Sequence, residues 1–143
     1  MEKQYLLVAE QMLFKNNRLT VINVWDQLTA IHSPAKFNFD LAFICGPNWE
    51  PGEYDLKFKI KANATNEIFE VGAIKVKIAN EQSVFNAIAS NVNIAMGEES
   101  GNITFIVERN EQEIYVREYP VLYLYKIRQE DQQESQVTTG IES

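Results

Sequence analysis

The feature that most constrains the fold of this chain is an unbroken alternation of apolar and charged residues from Tyr54 to Lys61. Successive side chains of a strand point to opposite faces of a sheet, so the pattern predicts a strand with one buried and one solvated face. A second alternating run, Ile74 to Ile78, ends a predicted strand at residues 68–78, which follows a polar break at residues 63–66. The two runs therefore predict neighbouring antiparallel strands whose lysines lie on the outer face.

Other β-prone runs follow at fairly regular spacing. They cover residues 5–9, 19–25, 37–44, 88–94, 103–108, 114–118 and 121–125. Within them we expect Ile88, Val92 and Ile94 to face the interior. In the run 68–78, Gly72 is expected to mark a bulge or a bend. Pro120 cannot donate a ladder hydrogen bond, so the chain is expected to bend or switch sheets there. The whole pattern predicts an all-β, antiparallel sandwich of about eight strands.

Length and composition fit one domain followed by a polar tail. A chain of 143 residues that is 45% hydrophobic is long enough to bury a core without disulfides or metals. We assign residues 1–127 to this single domain. From residue 128 onward the only apolar residues are Val137 and Ile141. Such a segment cannot bury enough surface to offset the entropy of ordering it, so residues 128–143 are predicted to be a disordered tail.

Charge and cysteine content restrict the partners and the compartment. The net charge is −7, which opposes binding to nucleic acid or to an anionic membrane. The chain has one cysteine, Cys45, and hence no intramolecular disulfide. Only a short apolar run precedes Glu10, and no stretch approaches the roughly 18 apolar residues of a transmembrane helix. We therefore expect a cytoplasmic protein.

Several segments, taken in order, resemble those of a family of small uncharacterised bacterial proteins. The resemblance covers residues 4–127 and is carried by residues 17–26, residues 39–43, the turn and strand 51–54, the turn Asn66-Glu67, and the hairpin 102–118 followed by Pro120. It implies an immunoglobulin-like β-sandwich. It implies no activity, because the family has no assigned function, and so no functional residue is carried over.

The residues that could carry chemistry are few. The single histidine, His32, is expected to lie exposed in a loop, and a metal site or a catalytic triad has no second histidine or cysteine pair to draw on. Cys45 is expected to be a small buried apolar residue. The carboxylates of Glu50, Glu53 and the pair Glu98-Glu99 are expected to be solvated loop residues. We therefore expect no cofactor, no metal and no enzymatic activity.

Two aromatic segments are the candidate interaction surfaces. Trp49 lies in the loop 47–51, where it either caps one end of the sandwich or offers a contact residue. Residues 115–125 are apolar on both faces, and one of these faces needs cover from the chain itself or from another copy. The candidate interface residues in this segment are Tyr115, Tyr119, Leu122, Tyr123, Leu124 and Tyr125.

These surfaces favour a non-enzymatic module that binds a protein partner or itself, with a homodimer through residues 115–125 as the most specific form. Two alternatives stay open. One is a sandwich that binds a small ligand or a carbohydrate with Trp49 and loop carboxylates. The other is a structural component of a phage or mobile-element assembly, which would act through self-association.

Overall fold

The computed structural model describes residues 3–16 and 18–125, and this part of the chain contains ten strands and one short 3-10 turn at Glu98–Ser100. The predicted tail at residues 128–143 lies outside the described residues. The strands are β1 (Lys3–Lys15), β2 (Arg18–Trp25), β3 (Leu28–Ala30), β4 (Ala35–Gly46), β5 (Gly52–Ala62), β6 (Glu67–Ile78), β7 (Phe85–Met96), β8 (Ile103–Arg109), β9 (Gln112–Tyr119) and β10 (Val121–Tyr123).

Eight of the strands form two four-stranded antiparallel sheets, with strand orders β2-β1-β4-β7 and β6-β5-β8-β9. The short strands β3 and β10 form a separate parallel pair. Apart from the edge strand β2, the orders β1-β4-β7 and β6-β5-β8-β9 correspond to strands A-B-E and C′-C-F-G of immunoglobulin-like domains. The predicted all-β antiparallel sandwich is confirmed, with ten strands instead of about eight.

The alternating run at residues 54–61 forms β5 as predicted. Leu56, Phe58 and Ile60 are buried in the core between the sheets, and the intervening lysines lie on the outer face. Strand β6 pairs with β5 along its length, and the register shifts where Phe58 lies opposite Gly72. A Cβ at Gly72 would lie 3.0 Å from the Ala89 Cβ in the opposite sheet, so any larger residue at this bulge would have to displace that neighbour by a few tenths of an ångström.

Strand β7 has its predicted orientation at Val92 and Ile94, which contact the core, but not at Ile88. Its register with β4 shifts between Ala89 and Val92, and Asn91 within this bulge has a φ of 58°. The bulge exchanges the two faces, so that Ala89 and Val92 both face the core. Ile88 consequently lies on the outer face of the sheet, and the prediction that it faces the interior is wrong.

Pro120 ends β9, and the chain switches sheets there as predicted. The carbonyl of Pro120 accepts a hydrogen bond from the Leu28 N–H at 2.9 Å. This contact leads directly into the parallel pairing of β10 with β3. The last strand therefore pairs with neither large sheet, and it ends at Tyr123, two residues earlier than predicted.

Candidate interaction surface

Trp49 is a core residue at one end of the sandwich. Its side chain is 1% exposed, and its ring packs edge-on against Tyr54 and Phe85 with centroid distances of 5.0 and 4.9 Å. The guanidinium of Arg109 lies 4.5 Å from the centre of the indole and covers it from the outside. Of the two roles predicted for Trp49, the cap on the core is confirmed and the surface contact is wrong.

The segment 115–125 is largely covered by the chain itself. Tyr119 and Tyr123 are buried, and the Tyr119 ring packs edge-on against Phe105 at 4.9 Å. Tyr115 is half-buried against Phe43 at 5.6 Å. Burial contradicts a contact role for Tyr119 and Tyr123. An interface role stays a prediction for the four half-buried residues Tyr115, Leu122, Leu124 and Tyr125.

Burial also governs the ionisation of the two covered tyrosines. It raises the pKa of Tyr119 above the ordinary value of 10.0, although the nearby charge of Arg117 acts in the opposite direction. Burial likewise raises the pKa of Tyr123, and the carboxylates of Glu99 and Glu98 add to the effect. Both hydroxyls therefore stay protonated at neutral pH, as suits residues packed inside the domain.

The residues considered for chemistry are one histidine, one cysteine and four loop carboxylates, of which Glu98 is half-buried and not fully solvated as predicted. His32 is exposed, with its ring 5.9 Å from that of Tyr125, and Cys45 is fully buried, both as predicted. Glu50, Glu53 and Glu99 are exposed. Among the described residues no group of three or more His, Cys, Asp and Glu side chains could hold a metal ion. No helix in the described ranges has the length and apolarity needed to cross a membrane.

The largest departure from the predicted elements is the hairpin of β1 and β2. Strand β1 pairs with β4 only through residues 3–9, whereas it pairs with β2 through residues 8–15. Residues 10–15 and 18–23 therefore form a two-stranded ribbon with no third strand, which we call the arm. A two-stranded ribbon alone is marginally stable in water, so the arm depends on side-chain packing.

One face of the arm packs on the sheet from which it extends. Met12 is buried together with Ala9 and Ala42 in a small apolar cluster. Ala42 lies between Leu41 and Phe43, which face the core, so the cluster is on the outer face of the first sheet. The partly buried side chains around it are Leu7, Leu19, Val21 and Ile88.

The carboxylate of Asp40 fixes the point where the arm leaves the sheet. Ala9 and Asp40 are the last paired residues of β1 and β4. Beyond that pair, Asp40 Oδ2 accepts a hydrogen bond from the Met12 N–H at 2.8 Å, and Oδ1 accepts one from the Asn91 N–H at 2.8 Å. One side chain thus satisfies two backbone donors that regular sheet pairing leaves without a carbonyl partner.

The rest of the arm is exposed and apolar. Leu13 and Ile22 lie on the face turned away from the sheet, and Phe14 lies beyond Met12 towards the tip. At the base, Val24 and Tyr5 are exposed on the outer face of the sheet. Ten large apolar side chains are exposed in the described residues, and these five, all in β1 and β2, are half of them. Such clustering is typical of an interaction surface.

The charges cancel in the part of the hairpin where β1 and β2 pair with each other, although the whole chain is acidic. Residues 8–26, which are this paired part and Asp26 directly after it, contain two positive side chains, Lys15 and Arg18, and two negative ones, Glu10 and Asp26, whereas the whole chain has a net charge of −7. The first predicted strand ends at Ala9, so the sequence pattern does not predict this surface. The three consecutive apolar residues Met12, Leu13 and Phe14 were the available signal, but they do not alternate with polar residues.

No protein-family model, curated protein or solved structure matches this chain. The resemblance to a family of small bacterial proteins therefore stays a prediction. The candidate surface is defined by the geometry of the arm and its base alone.

Proposed function

We propose that this domain is a non-enzymatic protein-interaction module that binds protein through the arm and its base. The observation that supports the proposal is the exposure of Leu13 (47%), Phe14 (55%) and Ile22 (37%) on a two-stranded ribbon. These side chains are too exposed to stabilise the isolated domain much. Covering them with protein surface would stabilise both the arm and the complex. A cytoplasmic location remains part of the prediction from sequence.

The magnitude of apolar burial indicates how large the interface must be. Full burial of a Leu, Ile or Phe side chain contributes about 1.5–3 kcal/mol, so covering these half-exposed ones contributes roughly 1 kcal/mol each. Association costs at least about 4 kcal/mol in lost translational and rotational freedom. These three side chains alone do not offset that cost. The partner must therefore bury apolar surface of its own, and contacts at Val24 and Tyr5 or hydrogen bonds along the open edge of β2 would add to the affinity.

Photo-crosslinking from the arm tests this proposal. With p-benzoylphenylalanine in place of Phe14 in the full chain, we expect irradiation of intact cells to give a discrete covalent adduct. The matched control carries the same side chain at Val84, which is 62% exposed and lies outside the hairpin, and should give little adduct. Gel mobility and mass spectrometry of the purified adduct provide the readout. An equal yield of adducts from the two positions would contradict a role of the arm in binding.

A second candidate function, binding of a small apolar ligand, is favoured by a cleft between the facing edges of the two sheets. Strands β6 and β7 form no ladder with each other, and a cleft of about 380 Å³ opens between them. Its floor includes the buried Ile60 and Met96, and the half-exposed Phe69 lies at its rim. This replaces Trp49 and the loop carboxylates as the predicted ligand site.

A thermal-shift screen with small apolar and carbohydrate ligands tests the cleft. If it binds ligand, we expect a saturable rise in melting temperature that Phe69→Ala abolishes, because the variant removes one wall of the cleft. The neighbouring Ile68 is 56% exposed and points to the outer face of β6, so Ile68→Ala should retain the shift. A screen without a saturable hit, or a hit unaffected by Phe69→Ala, argues against this function.

A further inference from the structure

We infer that the partner of the arm is a second copy of this chain, with the two arms side by side and antiparallel about a two-fold axis. The inference rests on the proposed function, because it names the partner of the same surface. It follows from how charge is distributed along the arm and from the lack of charged side chains on the outer edge of β2.

The hairpin is positive at its tip and negative at its base. Lys15 and Arg18 flank the turn, whereas Glu10 is at the start of the arm and Asp26 directly follows β2. All four residues are exposed. A two-fold axis that makes the arms antiparallel places each positive tip beside a negative base, and it does so twice. A parallel arrangement would instead bring the two positive tips together.

The spacing along β2 fits this symmetry. Arg18 and Asp26 lie four residues before and four residues after Ile22. A two-fold axis through Ile22 therefore puts Arg18 of each copy opposite Asp26 of the other. The exposed Ile22 side chains of the two copies would meet at this axis, and Leu13, which pairs with Thr20 one strand behind the edge, would flank them on the same face. Asn23, with a φ of 55°, interrupts regular strand geometry next to the axis, so side-chain contacts carry more of this interface than an unbroken ladder would.

The outer edge of β2 is less protected than the other sheet edges of the described residues, because only the irregular backbone at Asn23 interrupts it. From Leu19 to Trp25 it has no charged side chain. Natural sheets discourage edge-to-edge pairing with charges, bulges, prolines or a covering element. Strand β6 carries Lys75 and Lys77, and β9 carries Arg117 and Glu118. Strand β7 lacks charge, but it is bulged and lies next to β6.

A second copy also fits the charge of the surface better than other partners do. A basic protein would be attracted mainly to the acidic remainder of the domain, because the hairpin itself is neutral. An acidic protein would be repelled by that remainder. A copy of the chain presents a neutral hairpin to a neutral hairpin, and antiparallel packing points the two acidic domains away from each other.

Charge reversal tests the inference on the full-length chain by sedimentation velocity and equilibrium. We expect the wild type to be a dimer that dissociates on dilution. Arg18→Glu and Asp26→Arg should each raise the dimer dissociation constant about tenfold or more, because each replaces two attractive contacts with two repulsive ones. The double variant Arg18→Glu/Asp26→Arg should return it to within about threefold of the wild type. Circular dichroism and thermal unfolding of the monomer check that each variant is folded.

Each outcome bears on the inference. Restoration by the double variant supports the two-fold arrangement. A wild type that stays monomeric up to several hundred micromolar, oligomers that grow beyond the dimer, or a double variant no better than the singles overturns it. The crosslink at position 14 distinguishes a failure of this inference from a failure of the proposed function. An adduct with a different protein would support the interaction module and contradict the homodimer. The absence of a specific adduct would contradict both.

Discussion

Replacement of Trp49 with alanine is expected to lower the free energy of unfolding by about 3–5 kcal/mol, the range found when a buried aromatic residue is truncated. The indole is fully enclosed by the rings of Tyr54 and Phe85 and by the guanidinium of Arg109. Removing it leaves a cavity at the end of the sandwich and exposes the adjoining core. Urea unfolding, followed by circular dichroism, measures the change.

Trp49→Phe is the matched control for this prediction. A phenyl ring keeps much of the edge-on packing, and it removes an indole N–H that has no hydrogen-bond acceptor among the described residues. Since a buried donor without a partner is itself destabilising, we expect the phenylalanine variant to lose clearly less stability than the alanine variant. A loss below about 1 kcal/mol for Trp49→Ala would show that the indole is not part of the core.

Local alternation predicted the strands wherever the backbone is regular. Leu56, Phe58 and Ile60 point inward because nothing between them changes the two-residue period. Ile88 was misassigned because Asn91, three residues after it, adopts a left-handed conformation, and the faces exchange there. A bulge of this kind depends on pairing with β4, which the sequence of β7 alone does not specify.

The candidate site was harder to predict than the fold, because it depends on contacts between segments that are far apart in the sequence. The segment 115–125 does need cover, as its apolar pattern indicated, but the chain itself provides much of it. Strand β10 pairs with β3, and the guanidinium of Arg117 lies 4.8 Å from the Tyr119 ring. The arm is exposed because β1 and β4 stop pairing at Asp40, although β4 continues to Ala35, and a periodicity cannot show where two neighbouring strands separate.

Replacement of Asp40 with alanine is expected to lower the free energy of unfolding by about 2–4 kcal/mol, because hydrogen bonds to a charged acceptor contribute about 1.5–3 kcal/mol each. Two such bonds are lost, to the N–H groups of Met12 and Asn91. Partial exposure of Asp40 lets water replace some of the interaction, so we expect less than the full sum. Chemical denaturation measures the loss.

Asp40→Asn separates the effect of the carboxylate group from the effect of side-chain shape, because asparagine has the same shape as aspartate. The amide has one acceptor oxygen and one NH₂ donor group, so it retains one of the two bonds and places a donor against the other N–H. Native-state hydrogen exchange should then show faster exchange at Met12 or Asn91, and Asp40→Ala should accelerate both. Because Met12 anchors the arm to the sheet, Asp40→Ala should also loosen the arm and weaken any complex formed through it. Slow exchange at both amides in Asp40→Ala would mean that apolar packing around Met12, and not this carboxylate, holds the arm in place.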